Sequence, residues 1–170
     1  IPRPKPHVSQ QLVGREPELL RISDAFDSTM RGATSVVFLS GSSGMGKSTL
    51  IHNFVETTRA RNEDVVVLES RCYERESVPY KAVDHLIDGL SALLRTLPHS
   101  ELGAILPADL GDLARLFPAM SQIEALAGRS SVVTPDPKES RRRAFGALRH
   151  ILTRIAVRKV LVVVIDDLQW

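Results

Sequence analysis

Ser35–Leu50 reads SVVFLSGSSGMGKSTL, and the fold turns on how this stretch is read. Ser35–Ser40 are rich in β-branched and aromatic types, the composition of a strand. Gly41-Ser42-Ser43-Gly44-Met45-Gly46-Lys47-Ser48 follow directly, and Leu50, Ile51, Phe54 and Val55 then recur on one side of a helix. The pattern is G-x-x-x-x-G-K-[ST] set between a strand and a helix. Glycines at 41, 44 and 46 permit backbone angles and close approach that a Cβ would block, so successive N–H groups can turn onto phosphate oxygens. The helix that begins near Lys47 points its partial positive charge at the same place. The Lys47 ammonium can reach the β- and γ-phosphates, and the Ser48 hydroxyl can ligate Mg²⁺. These residue types at this spacing imply a nucleoside triphosphate site.

Composition narrows what surrounds that site. A chain of 170 residues with 43% hydrophobic and 25% charged residues is long enough to bury a core. A net charge of +2 is too small to argue for nucleic acid or a membrane surface. Cys72 is the single cysteine, which excludes an intrachain disulfide and a cysteine metal site and suits a reducing, cytoplasmic setting. No run approaches the roughly 18 apolar residues of a membrane span, and residues 1–11 lack the apolar centre of a signal peptide. The five histidines are scattered, so no zinc site is readable.

Upstream of the loop, Ile1–Gln11 (IPRPKPHVSQQ) is proline-rich and aperiodic, and reads as a linker. It opens on isoleucine, so the expectation is a piece of a longer protein. Leu19, Leu20, Ile22, Ala25 and Phe26 suit one face of a helix with Pro17 in its first turn. Val13-Gly14 ahead of it has two readings: backbone laid against an adenine, or simply the start of that helix.

Downstream, Asp64–Cys72 (DVVVLESRC) reads as a second strand covered on both faces, and strand–helix–strand makes a parallel sheet. Lys81–Leu97 is apolar at the helical period, and shorter helical patches are expected near Asp109–Phe117 and Ser121–Ala127. Lys138–Val157 reads as a long amphipathic helix whose Arg141-Arg142-Arg143 run is more simply a solvated face than a phosphate contact. Lys159–Trp170 (KVLVVVIDDLQW) closes with a buried strand, Val160–Ile165, tipped by Asp166-Asp167. Ligands of open parallel sheets bind at the carboxyl ends of strands. There one carboxylate of the pair can hold a Mg²⁺ water shell, while its neighbour orients an attacking water.

With VGRE at 13–16, GSSGMGKST at 41–49 and VLVVVIDDLQW at 160–170 in view, the chain resembles the nucleotide-binding domain of AAA-type ATPases of the STAND class. The likeness is to the bacterial origin-recognition-like branch. RCYERESVPYKAVD and ESRRRAF resemble versions fused to serine/threonine kinases or large transcriptional regulators. The resemblance runs from Leu12 onward. It implies that Val13, Gly14 and Arg15 lie near the adenine, and that Gly41, Ser42, Ser43, Gly44, Met45, Gly46 and Lys47 wrap the phosphates. By the same resemblance Ser48 ligates Mg²⁺, Thr49 lies near the α-phosphate, Asp166 supports the metal, and Lys47 and Asp167 serve catalysis. The acidic strand in that family is separated from the loop strand by a later strand, so this stretch would hold the N-terminal part of the fold.

The expected architecture is therefore α/β: a three-layer P-loop NTPase with a parallel sheet, incomplete at its C-terminus, and a helical insert of about Val78–Val157 between strands two and three. Residues 1–11 are expected as linker and 12–170 as the ATPase domain. The expected role is Mg²⁺-ATP binding and hydrolysis as the switch of a multidomain signalling protein, with ATP, ADP and neighbouring domains as partners. One alternative is a nucleotide-binding scaffold with little turnover. Another is a DNA-associated ATPase, against which the near-neutral charge counts.

Overall fold

The computed structural model describes residues 14–74, 80–126 and 135–168. By contact density it divides into two units, residues 1–65 and residues 66–170.

In the first unit two helices frame the glycine loop. Helix α1 (Glu16–Met30) starts as its sequence dictates, with Pro17 in the first turn and Glu16 and Glu18 near the positive end of the helix dipole. It ends by a glycine device. The Gly32 N–H bonds the Thr29 carbonyl at 2.9 Å and the Ala33 N–H bonds the Ser28 carbonyl at 3.1 Å, which closes a Schellman turn. That turn needs a left-handed residue, and Gly32 supplies it at φ +92°. Helix α2 (Lys47–Arg61) follows the loop, and Phe26 of α1 meets Phe54 of α2 edge to face at 5.9 Å. His52 is exposed on α2, a surface residue.

The stretch read as the loop strand is not one in the structure: residues 33–42 carry no regular secondary structure, and Val36 and Phe38 are 74% and 79% exposed. The physical reason is that a strand exists only through ladder bonds to a neighbour. The sheet among the described residues pairs its two strands with each other.

Those strands are β1 (Val65–Arg71) and β2 (Val160–Asp166). The last residues of both meet, since the Cys72 N–H bonds the Asp166 carbonyl at 3.0 Å, so the strands run parallel as the sequence implies. Coverage differs from expectation. Val66, Leu68 and Ser70 of β1 are buried while Glu69 and Arg71 are exposed, and no β2 residue is fully buried. Alternate residues of a strand face opposite sides, so β1 is covered on the one face that Val66 and Leu68 turn to the helical core, and its other face is not closed.

Between β1 and β2 the second unit is helical: α3 (Lys81–Arg95), α4 (His99–Ile105), α5 (Gly111–Leu116), a 3₁₀ turn (Pro118–Met120), α6 (Ser121–Leu126) and α7 (Pro137–Ala156). Helix α3 turns Leu86, Ile87, Leu90 and Leu94 inward, and these join Leu113 and Ile151 in one continuous core with Val66 and Leu68 of β1. Helix α7 begins on Asp136, whose carboxylate accepts the Lys138 N–H at 3.1 Å. Helix α4 is absent from the periodicity of the sequence because HSELGAI buries only Leu102 and Ile105.

Polar groups in this core are matched. The Ser91 hydroxyl donates to the Ala119 carbonyl at 2.9 Å. Asp112, only 3% exposed, accepts from the Ser140 hydroxyl at 2.7 Å and is paired with Arg143 at 3.2 Å. Arg143 also pairs with Asp109, Arg142 with Glu139, and Arg141 lies over the Tyr80 ring at 5.5 Å. The arginine run is exposed and engaged with local partners.

Candidate functional site

The glycine loop is built by its own backbone. Gly44 and Gly46 sit at φ +80° and +77°, a region closed to most side chains, and the Met45 N–H reaches the Ser42 carbonyl at 3.4 Å. Gly46 is also the residue that starts α2, and having no side chain it caps none of the helix's first N–H groups. Helix α2 thus begins as a cluster of amides with the positive end of the dipole behind them. The Lys47 ammonium folds back over the loop and donates to the Gly41 carbonyl at 2.8 Å and the Ser42 carbonyl at 3.0 Å. Ser42, Ser43, Ser48 and Thr49 are exposed beside it.

The residues ahead of α1 reach the same loop. Arg15 donates through Nη2 to the Met45 carbonyl at 2.8 Å and through Nη1 to the Glu18 carboxylate at 2.9 Å. Its own backbone N–H and then Arg15 hold the Glu18 carboxyl below the usual range for glutamate. The Gly14 N–H bonds the Glu16 carboxylate at 3.2 Å. Val13 lies outside the described residues.

In the second unit the acidic pair sits at the tip of β2. The Asp166 carboxylate accepts the Asp167 N–H at 2.9 Å, and Asp167 adopts φ +54°, which turns the chain at the strand end. Arg71, at the tip of β1, grips Asp167 Oδ2 with Nε at 2.8 Å and Nη2 at 2.6 Å. The hydrogen bond to Asp167 raises the Arg71 guanidinium further above its already high value. The Arg71 guanidinium also lies 5.8 Å from the centre of the Tyr73 ring.

The structure thus gathers Gly14, Arg15 and Gly41–Thr49 in one unit, and Asp166 and Asp167 in the other. Arg71 is the residue that sequence reasoning missed. The signal was present: a charge at the carboxyl end of a parallel strand, the place where such sheets carry function. Ser48 and Asp166 offer hard oxygen donors of the kind Mg²⁺ takes. A hollow of about 270 Å³ in the helical part is lined by Asp109, Asp112, Arg143 and His150. The carboxylates and the arginine on its wall are paired with one another.

Comparison with known proteins agrees with the loop. The family model described as an AAA ATPase domain matches residues 11–170, so the chain belongs to that family. An uncharacterized protein of Rhizobium meliloti (strain 1021) is 24% identical over 180 residues, covering 94% of this chain and 16% of its own. The chain therefore spans about a sixth of the length of that relative. No solved structure gives a significant match. No described helix is long and apolar enough to cross a membrane.

Proposed function

We propose that this AAA ATPase domain binds Mg²⁺-ATP on Gly41–Thr49 and hydrolyses it, serving as the nucleotide-dependent switch of a longer signalling or regulatory polypeptide. The observation that carries the reading is the loop itself. Left-handed glycines lead into a helix whose first amides have no side-chain cap, with an ammonium poised at the mouth. An anion of several oxygens is the ligand such a site is built to take. A polyphosphate entering it would compete with the Gly41 and Ser42 carbonyls for Lys47, exchanging neutral acceptors for charged ones.

The chemistry proposed is in-line attack of water on the γ-phosphorus, in which positioning and charge neutralisation supply most of the acceleration. Lys47 neutralises phosphate charge, and Asp167 orients the water. Bound Mg²⁺, held by Ser48 and supported by Asp166, would contribute further neutralisation. Val13, Gly14 and Arg15 are assigned to the base side, and residues 1–11 to a linker. The STAND-class assignment, kinase or regulatory neighbours and a cytoplasmic setting belong to the same proposal and rest on the resemblance of motifs. ATP and ADP are the expected ligands, with nucleic acid and membrane outside the expected partners.

A second reading has an observation of its own. Asp167 is held by two donors of Arg71, and a carboxylate so engaged is a poor partner for water. A module in that state would hold nucleotide with little turnover. Replacing Asp167 with Asn separates the two. The hydrolytic reading expects turnover to fall by about 10²-fold or more with ATP affinity kept. Equal turnover with and without the carboxylate supports the scaffold.

A further inference from the structure

Arg15 spans two elements that the sequence separates by 30 residues, and the way it does so has a consequence for the loop. A phosphate-cradling loop must present N–H groups inward, and the carbonyl of each peptide unit that does so faces the other way and needs a partner there. The peptide unit is planar and trans, which sets the C=O of one residue antiparallel to the N–H of the next. Holding the Met45 carbonyl therefore fixes the direction of the Gly46 N–H. At φ +77° and with no side chain, Gly46 has no restraint of its own against a flip of that peptide.

Arg15 supplies the restraint. One guanidinium nitrogen holds the Met45 carbonyl at 2.8 Å, while another is anchored on Glu18 in the first turn of α1 at 2.9 Å. The guanidinium plane is rigid, so its two ends lock together. Met45 is 54% exposed and contributes little packing to hold the turn by other means.

We propose that Arg15 is a positioning residue for the phosphate loop: anchored on Glu18, it holds the Met45 carbonyl outward so that the Gly46 N–H faces the phosphate side. The proposal rests on the nucleotide-binding reading above and changes the role of Arg15 within it, from a contact to the base to a strut behind the loop. A strut acts on phosphate affinity and is blind to the base. A base contact acts on the choice between ATP and GTP.

The test uses the full-length polypeptide with Arg15→Ala, Arg15→Lys and Glu18→Gln. Arg15→Ala is expected to weaken ATP and GTP by the same factor, roughly fivefold, the effect of one charge-assisted hydrogen bond in an exposed setting. Arg15→Lys, with one nitrogen in place of two, should recover only part of the loss, and Glu18→Gln should weaken both nucleotides to a lesser degree. Unchanged affinities, or a shifted ATP-to-GTP ratio, overturn the proposal. Amide hydrogen exchange on the nucleotide-free protein gives a second reading that needs no ligand. Arg15→Ala should speed exchange at Met45 and Leu50, whose N–H groups bond the Ser42 and Gly46 carbonyls of the same turn, and identical exchange overturns the strut. If the wild type binds no nucleotide, the functional reading above fails, while the exchange result still decides what Arg15 does to the loop.

Discussion

The proposed balance between binding and turnover rests on single residues, Arg71 first among them. Its guanidinium holds Oδ2 of Asp167, the carboxylate proposed to orient water, in a pair 96 residues apart in sequence. Arg71→Ala is expected to raise ATP turnover with KM for ATP unchanged, measured by phosphate release; unchanged turnover would remove Arg71 from the mechanism, and lower turnover would contradict its restraining role. The exposed pair of Glu139 and Arg142 gives a pH prediction. Arg142 first of all holds the Glu139 carboxyl below its ordinary value of 4.5. A depressed carboxylate contributes stability above its unfolded pKa and loses it as pH falls through the folded one. Glu139→Gln should therefore lower the melting temperature slightly at pH 7, and the gap to the wild type should close as pH drops below the usual glutamate range. A gap that persists in acid would contradict the assignment.

Element by element, what was legible in the sequence was what local chemistry decides. Pro17 and the spacing of Leu19, Ile22 and Phe26 announced α1, and the period of Leu86, Leu90 and Leu94 announced α3, because a helix draws its signal from residues three and four apart. The glycine loop was legible for the same reason: Gly44 and Gly46 act through their own backbone angles. Ser35–Ser40 carry strand composition and form no strand, because a strand is decided by a neighbour that local sequence does not contain. Arg71 with Asp167, and Arg15 with Met45, were hidden likewise, since each joins residues that only the fold brings together.

Two stability predictions belong to the elements. Gly32→Ala places a Cβ at φ +92° in the turn that ends α1, and should cost about 1 kcal/mol in chemical denaturation. A neutral result would mean that the turn relaxes. Leu90→Ala empties a fully buried position on α3 and should cost about 2–5 kcal/mol. A loss below about 1 kcal/mol would mean the core between β1 and the helices is not packed as described.

For the molecule as a whole, membership of the AAA ATPase family and the geometry of Gly41–Lys47 converge on a nucleotide. The core of the second unit is a helical assembly around Leu90, Leu113 and Ile151, and it delivers the carboxylates to the end of β2. The chain covers 16% of its Rhizobium meliloti relative, so the consequences of nucleotide state are proposed for a larger polypeptide. The exposed apolar side chains of Val36, Phe38, Val163 and Ile165 add a feature that neither the loop nor the acidic pair explains. They lie on the unpaired stretch before the loop and on β2.

The measurement that bears most directly on the central claim is Mg²⁺-dependent ATP binding, followed by turnover, for the wild type and Lys47→Ala side by side. Saturable binding that needs Mg²⁺, and that weakens at least tenfold when the ammonium is removed, is the expected result. ATP binding that is absent, or that survives Lys47→Ala unchanged, would contradict it.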